Sequence, residues 1–347
     1  MPRPFPTERP RQATSHRPGD SPAMTGSSAP AEEVAGPAFR SGFACFVGRP
    51  NAGKSTLTNA LVGTKVAITS GRPQTTRHAI RGIVHRPDAQ LILVDTPGLH
   101  RPRTLLGQRL NDVVRATLSE VDVVGFCTPA DEPVGRGDRF IAEELSRLPK
   151  RTPVIAILTK ADRVTEPDRL GARLLELASL GDFAEIIPVS AVPGRRSAGG
   201  DEATFQLDVL ADLLVARLPE GPPLYPDGEL TDEPERVMVA ELVREAALEG
   251  VRDELPHSLA VVVEEMLPRP DRPADRPLLD VHVNVFVERP SQKAIVIGAR
   301  GARLKDVGTR ARGQIEALLG TPVFLDLHVK VAKDWQRDPK QLRRLGF

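Results

Sequence analysis

Only two cysteines occur in the chain, Cys45 and Cys127, and each lies inside an apolar run. Two reduced core thiols in a cytoplasmic protein are the expectation, ahead of a disulfide framework. Aromatic residues are equally scarce, at 4% with one Trp and one Tyr. That disfavours a ligand surface built from many stacking rings. No run of about eighteen apolar residues is present, which excludes a membrane-spanning helix, and the first residues lack the apolar core of a secretory signal. Net charge is close to absent, at +1. Affinity for a nucleic acid or a membrane surface must therefore come from local segregation of charge.

What is present is an ordinary globular composition, 40% hydrophobic and 27% charged over 347 residues, a length that suggests two domains. Residues 1–40 hold eight prolines, scattered Ser and Gly and no apolar period, so a disordered extension is expected, with Met24 inside it as an alternative start. Over 41–218, short apolar strands alternate with amphipathic helices. The strands are expected at Phe43–Val47, Ile80–Val84, Leu91–Val94, Val121–Cys127, Val154–Leu158 and Ile186–Val189, with helices such as Leu105–Leu118 and Arg139–Leu148 between them. This is the pattern of a doubly wound, mostly parallel α/β sheet with one antiparallel hairpin. Residues 219–233, rich in Pro, Gly and acid, read as a linker. Residues 234–347 follow as a small α+β domain. Leu279–Val287 and Val323–Val331 alternate apolar and polar with period two, Ala302–Leu319 is helical, and Pro268–Pro277 is an exposed hairpin loop.

Three motifs follow predicted strands in the first domain. Gly48, Arg49, Pro50, Asn51, Ala52, Gly53, Lys54, Ser55 and Thr56 form a P-loop at a strand-to-helix turn. Its glycines let backbone N–H groups converge on phosphate oxygens, Lys54 reaches the β- and γ-phosphates, and the Ser55 hydroxyl suits Mg²⁺. Asp95, Thr96, Pro97 and Gly98 stand at the end of the Leu91–Val94 strand. A carboxylate there holds Mg²⁺, usually through water, and the Gly98 N–H meets the γ-phosphate. Thr159, Lys160 and Asp162 follow Val154–Leu158. The Asp162 carboxylate matches the N1–H and N2–H₂ edge of guanine, which adenine lacks, and Lys160 lays its stem along the base. Ser190 and Ala191 supply a backbone N–H for guanine O6. The nucleotide is GTP or GDP.

The order of these motifs resembles GTPases of the translation-factor class. Pro73-Gln-Thr-Thr-Arg77 with Asp95-Thr-Pro-Gly-Leu-His100 resembles the Era family, over roughly 41–347. The resemblance implies a GTPase domain followed by a type II KH domain. It also implies a switch threonine that ligates Mg²⁺, Thr76 in preference to Thr75, so that Lys54, Thr76 and Gly98 carry catalysis. Leu99 stands where signalling GTPases place a water-orienting Gln, so intrinsic hydrolysis is expected to be slow. Asn51 is implicated in holding K⁺ near the phosphates. Thr159 replaces the more usual Asn, which puts the anchoring of the loop in question.

Gly298, Ala299, Arg300 and Gly301 form the Gly-x-x-Gly loop of a KH domain, expected between a strand at Ala294–Ile297 and a helix, with Arg303 and Lys305 nearby. Charge agrees: Pro234–Glu288 carries six basic and twelve acidic residues, Arg289–Phe347 thirteen basic and five acidic. The partner that the resemblance implies is the 3′ end of 16S ribosomal RNA and the small ribosomal subunit, contacted by a monomer. Peripheral association with the inner face of the cell membrane is a further family property. The linker is expected to let the KH domain reorient with nucleotide state, GTP raising RNA affinity. A constitutive RNA-binding scaffold stabilised by nucleotide, and a GTPase at the membrane surface, are the alternatives.

Overall fold

The computed structural model describes residues 38–347 apart from 70–75, 103, 150–151, 193–204, 251–257, 271 and 274–275. The expected extension lies, up to residue 37, outside the described residues, as do Pro73, Gln74 and Thr75. Residue 40 is not part of an extension: it opens the first strand.

Six apolar runs become strands β1 (Arg40–Val47), β2 (Ile80–His85), β3 (Ala89–Asp95), β4 (Val123–Pro129), β5 (Val154–Thr159) and β6 (Glu185–Pro188). They assemble in the order β2-β3-β1-β4-β5-β6, with only β2 antiparallel to its neighbour. Every residue of β3 and β4 is buried, which is why these runs show no alternation. Helices α1 (Lys54–Val62) and α5 (Leu207–Val215) cover one face, and α2 (Leu105–Glu120), α3 (Arg136–Leu145) and α4 (Pro167–Ala178) cover the other. Parallel pairing sets Phe46 of β1 beside Asp95 of β3. The loops that leave these strands therefore open at one edge of the sheet, where ligands of such sheets sit.

The second sheet has three strands, β7 (Ala260–Pro268), β8 (Leu279–Val287) and β9 (Val323–Val331), with β7 antiparallel and β9 parallel to β8. Val281, Val283, Val285 and Val287 face a core shared with helices α6 (Glu235–Leu248) and α8 (Ala302–Leu319). Among the described residues the order is helix, strand, strand, helix, helix, strand, an α+β unit with one sheet as expected. One expectation fails. Ala294–Ile297 is no strand but the end of helix α7 (Pro290–Ile297). Pro290 occupies the first turn, and the Gln292 side chain accepts the N–H groups of Glu288 and Arg289 at 2.9 and 3.0 Å. This start signal outweighs the β-branched run Ile295-Val296-Ile297.

The expected linker is strapped to the first sheet. Ser41 N–H donates to Pro219 O and Ile83 N–H to Leu230 O, at 3.1 and 2.9 Å. The Gln90 amide donates to Tyr225 O at 2.8 Å and accepts the N–H groups of Leu224 and Tyr225. Arg81 pairs with Asp232 at 2.9 Å. A sequence rich in Pro and acid is thus held along the β2–β3 edge by its own main chain, not left as a slack tether.

Beyond the strap the two sheets share contacts. Leu106 and Leu110 of α2 pack with Ala260, Phe286, Trp335 and Leu342, the last in helix α9 (Pro339–Arg344). Lys65 pairs with Glu245 of α6 and reaches Gln314 of α8.

Candidate functional site

Three oxygens from three segments converge at the end of β1. Ser55 Oγ donates to Asp95 Oδ2 at 2.7 Å, Thr76 Oγ1 donates to the same atom at 2.9 Å, and the two hydroxyl oxygens lie 2.9 Å apart. Neighbouring ligands of an octahedral Mg²⁺ ion, at Mg–O of about 2.1 Å, are separated by about 3.0 Å. Asp95 is fully buried, and among the described residues its Oδ1 has no hydrogen-bond partner. The donor set is all oxygen and hard, so these residues fit Mg²⁺.

Lys54 lies beside them, its Nζ donating to the carbonyls of Gly48 and Arg49 at 3.3 and 3.2 Å. Burial pushes the Lys54 ammonium below its ordinary range, with Asp95 opposing. Burial pushes the Asp95 carboxyl up, with Ser55, Lys54 and Thr76 opposing. A buried cation and a buried anion on adjoining loops are arranged for ionic ligands of both signs.

The Asp95-to-Gly98 segment is docked on the P-loop. Thr96 Oγ1 donates to Phe46 O at 2.8 Å and Leu99 N–H to Gly48 O at 3.2 Å. A Cβ at Gly98 would lie 2.7 Å from Pro50 N, so only glycine allows this approach. The Leu99 side chain is buried in the core and faces no solvent.

A cavity of about 300 Å³ adjoins the P-loop, lined by Gly53, Thr56, Thr159, Lys160, Asp162 and Ala191 among others. Ser190 Oγ donates to Asp162 Oδ1 at 2.8 Å, which aims the carboxylate. The Ser190 N–H is committed to Phe205 O at 3.0 Å, so of the expected pair it is Ala191 that lines the cavity. The Thr159 hydroxyl is 2.6 Å from Ala52 O and 3.1 Å from Thr128 O. It tethers the P-loop through Ala52, a job the sequence left in doubt for a residue without an amide.

In the second domain, Gly298 and Gly301 have φ of 72° and 77°, and a Cβ on Gly298 would come within 2.6 Å of Arg303 Cβ. Arg300, also left-handed at φ 52°, is exposed, as is Lys305. Arg303 departs from expectation. Its guanidinium donates to Ala247 O and Glu249 O, at 3.2 and 2.7 Å, and so caps the C-terminal end of α6 instead of facing a ligand.

Sequence reasoning missed the residue next to Thr76. Arg77 is fully buried, donates to Leu259 O at 2.7 Å and lies 5.6 Å from both the Trp335 and Phe347 rings. His78 stacks on Phe347 at 5.3 Å. Burial would raise the Glu241 carboxyl, but Arg244, bonded to it at 2.5 Å, holds it below the usual range, aided by His78 and Arg77. The signal was a charged residue directly after a switch threonine, which sequence alone reads as surface.

This fold and these loops define a P-loop GTPase joined to a KH domain. Residues 43–160 match the family model described as a 50S ribosome-binding GTPase, and 254–336 match that of the KH domain. The chain is 71% identical to GTPase Era of Streptomyces coelicolor, covering 91% of this chain and 98% of that one, and 66% identical to GTPase Era of Mycolicibacterium smegmatis, covering 89% and 99%. It is also similar to a crystal structure of Era in complex with MgGDPNP and nucleotides 1506–1542 of 16S ribosomal RNA, at 37% identity and TM-score 0.81 over 89% of this chain and 99% of that one. An Aquifex aeolicus Era variant bound to GDP·AlF₄⁻ superposes with the same TM-score at 36% identity, with the same coverage.

The chain belongs to the Era family of GTPases. It hydrolyses GTP to GDP and uses Mg²⁺.

Proposed function

We propose that this GTPase is a switch that binds the 3′ end of 16S ribosomal RNA and acts in assembly of the small ribosomal subunit, as a cytoplasmic monomer. Its GTPase part spans 40–218, the strap 219–233 and the RNA-binding part 234–347. One observation carries the reading. Thr76 touches the Ser55–Asp95 oxygens while Arg77, the next residue, is buried against Leu259, Trp335 and Phe347 of the RNA-binding half. A change that displaces Thr76 must pull on Arg77.

In this reading the amides of 48–55 and the Lys54 ammonium hold the β- and γ-phosphates, and the Gly98 N–H binds the γ-phosphate. Ser55, Thr76 and Asp95 hold Mg²⁺, which when bound neutralises phosphate charge in the transition state. Asp162, aimed by Ser190, pairs with guanine, and Lys160 covers the base. Leu99 is buried and offers water no partner, so intrinsic turnover is slow and rises with RNA or a subunit partner. Asn51 holds K⁺ at the P-loop, which turnover in K⁺ against Na⁺ at equal ionic strength tests. Gly298, Ala299, Arg300 and Gly301 with Lys305 receive the RNA backbone. Peripheral association with the inner membrane face is a property that family membership implies, and sedimentation with anionic vesicles tests it; among the described residues no helix is long and apolar enough to cross a membrane.

The decisive experiment compares RNA affinity in GDP and in a non-hydrolysable GTP analogue. Tighter binding with the analogue supports the switch, and equal affinities refute it. Lys54→Ala is expected to cut hydrolysis by about 100-fold or more while the protein remains folded, measured as phosphate release. Unchanged assembly by that variant would favour a scaffold in which nucleotide only stabilises the fold.

A further inference from the structure

A groove of about 630 Å³ opens between α8 and the edge strand β9, beside Gly301. Lys305 and Arg312 of α8 line it from one side, Arg269 and Arg272 of the β7–β8 loop from its end, and of the described residues lining it none is acidic. At its rim stands Phe324, 47% exposed. Its neighbours Val323 and Leu325 belong to the core, so alternation along β9 turns the Phe324 ring to the opposite face, at the sheet edge. The Arg269 guanidinium lies 4.9 Å from the centre of that ring. Asp280, the cross-strand partner of Phe324, grips Arg269 through contacts of 2.6 to 3.0 Å, and the Arg269 N–H is itself fixed to Leu278 O.

A half-exposed phenyl ring beside a guanidinium held in place by a carboxylate has one side of a stack already built. The adjoining groove is positive, which suits phosphate, while on the ring's own face Asp280 is paired with Arg269 and Asp326 is bonded to His282 and His328. A flat π-faced group is what such a platform receives. Both demands are met at once by an unpaired nucleotide. A protein chain would supply no run of phosphates for Lys305, Arg312 and Arg272 together.

We propose that Phe324 and Arg269 form a stacking platform for one unpaired RNA base just outside the groove, where the strand leaves it across the β9 edge. The inference rests on the RNA-binding reading above and adds a nucleotide to the stretch that the Gly298–Gly301 loop and groove hold. Stacking is tolerant of base identity, so this position contributes affinity more than sequence preference. Asp280 acts as a positioning residue through Arg269.

The test uses the full chain with GTP analogue and RNA of nucleotides 1506–1542 of 16S ribosomal RNA, followed by fluorescence anisotropy. A parallel set of RNAs carries a single abasic ribose at successive unpaired positions. Phe324→Ala is expected to weaken binding about 10-fold, within the 5- to 150-fold span of a lost base stack. Phe324→Trp restores affinity, and Arg269→Ala gives a smaller loss. One abasic position weakens the wild type but not Phe324→Ala, which identifies the stacked base. Wild-type affinity in Phe324→Ala with an unchanged circular dichroism spectrum overturns the platform. So does an abasic set that penalises wild type and variant equally at every position. If the wild-type chain binds none of these RNAs in either nucleotide state, the RNA-binding reading itself fails, and the platform with it.

Discussion

The two candidate ligand regions are built by opposite means. The nucleotide site is made of main-chain amides and short side chains on loops that each leave the end of a strand, and its charged members Lys54, Asp95 and Asp162 are buried. The groove proposed for RNA takes its charge from long basic side chains on a helix and a loop, mostly open to solvent. Buried groups bonded in fixed geometry respond to substitution with whole-bond losses, because the partner is left without water. Exposed cations respond in small, roughly equal, salt-dependent steps. The difference predicts steep effects at one region and graded ones at the other.

The steepest falls on Asp162→Ala. Two charge-assisted hydrogen bonds to guanine are lost, each contributing about 1.5–3 kcal/mol, so GTP affinity should drop by about 10² to 10⁴-fold. Calorimetry with GTP and ATP measures it. A variant that still binds GTP tightly and still rejects ATP would end the guanine assignment. Next comes Arg77→Ala, at the seam between the regions. It strands Leu259 O and empties the space beside the stacked Trp335 and Phe347 rings, and about 2–4 kcal/mol of stability should be lost. Thermal unfolding reads this directly. A melting temperature equal to that of the wild type would show that the seam holds without it.

Much of the nucleotide site was legible because its chemistry is local in sequence. The P-loop, Asp95-Thr-Pro-Gly98 and Thr159-Lys-Ala-Asp162 are each contiguous and each follows an apolar run, so order alone implied their convergence. What the sequence hid depends on tertiary neighbours. Ala294–Ile297 carries strand-like residues, yet Pro290 and Gln292 start a helix whose burial no local pattern reveals. Arg303 has a phosphate-binding residue's chemistry and position, but the bare carbonyls at the end of α6 claim it. Residues 219–233 have a linker's composition, while their backbone groups find partners on β1, β2 and the Gln90 amide. Phe324 was lost in a composition of 4% aromatics. A single ring in the right place matters more than the average.

The graded effects belong to the exposed loop. Arg300→Ala and Lys305→Ala should each weaken RNA binding several-fold, and each should reduce the slope of log affinity against log salt by about one. Arg303→Ala should leave that slope unchanged, since its guanidinium caps α6, and should lower stability instead. A slope change of one for Arg303→Ala would return it to the RNA face.

The smallest effect expected is in the acid response of the seam. His78 is half-buried against Phe347, and desolvation lowers its pKa below the ordinary 6.5, with Glu241 opposing and Arg244 and Arg77 assisting. The unfolded chain thus takes up a proton near pH 6.5 that the folded chain refuses. Below that pH the unfolded state binds more protons, so stability is lost as pH falls, until the folded-state pKa is passed. The loss cannot exceed about 1.4 kcal/mol per pH unit for one group. His78→Phe keeps a ring against Phe347 and removes the titration. Its melting temperature should therefore fall less than that of the wild type between pH 7.5 and 5.5. Parallel declines would mean that other groups govern the acid response and that His78 binds its proton equally well folded or unfolded.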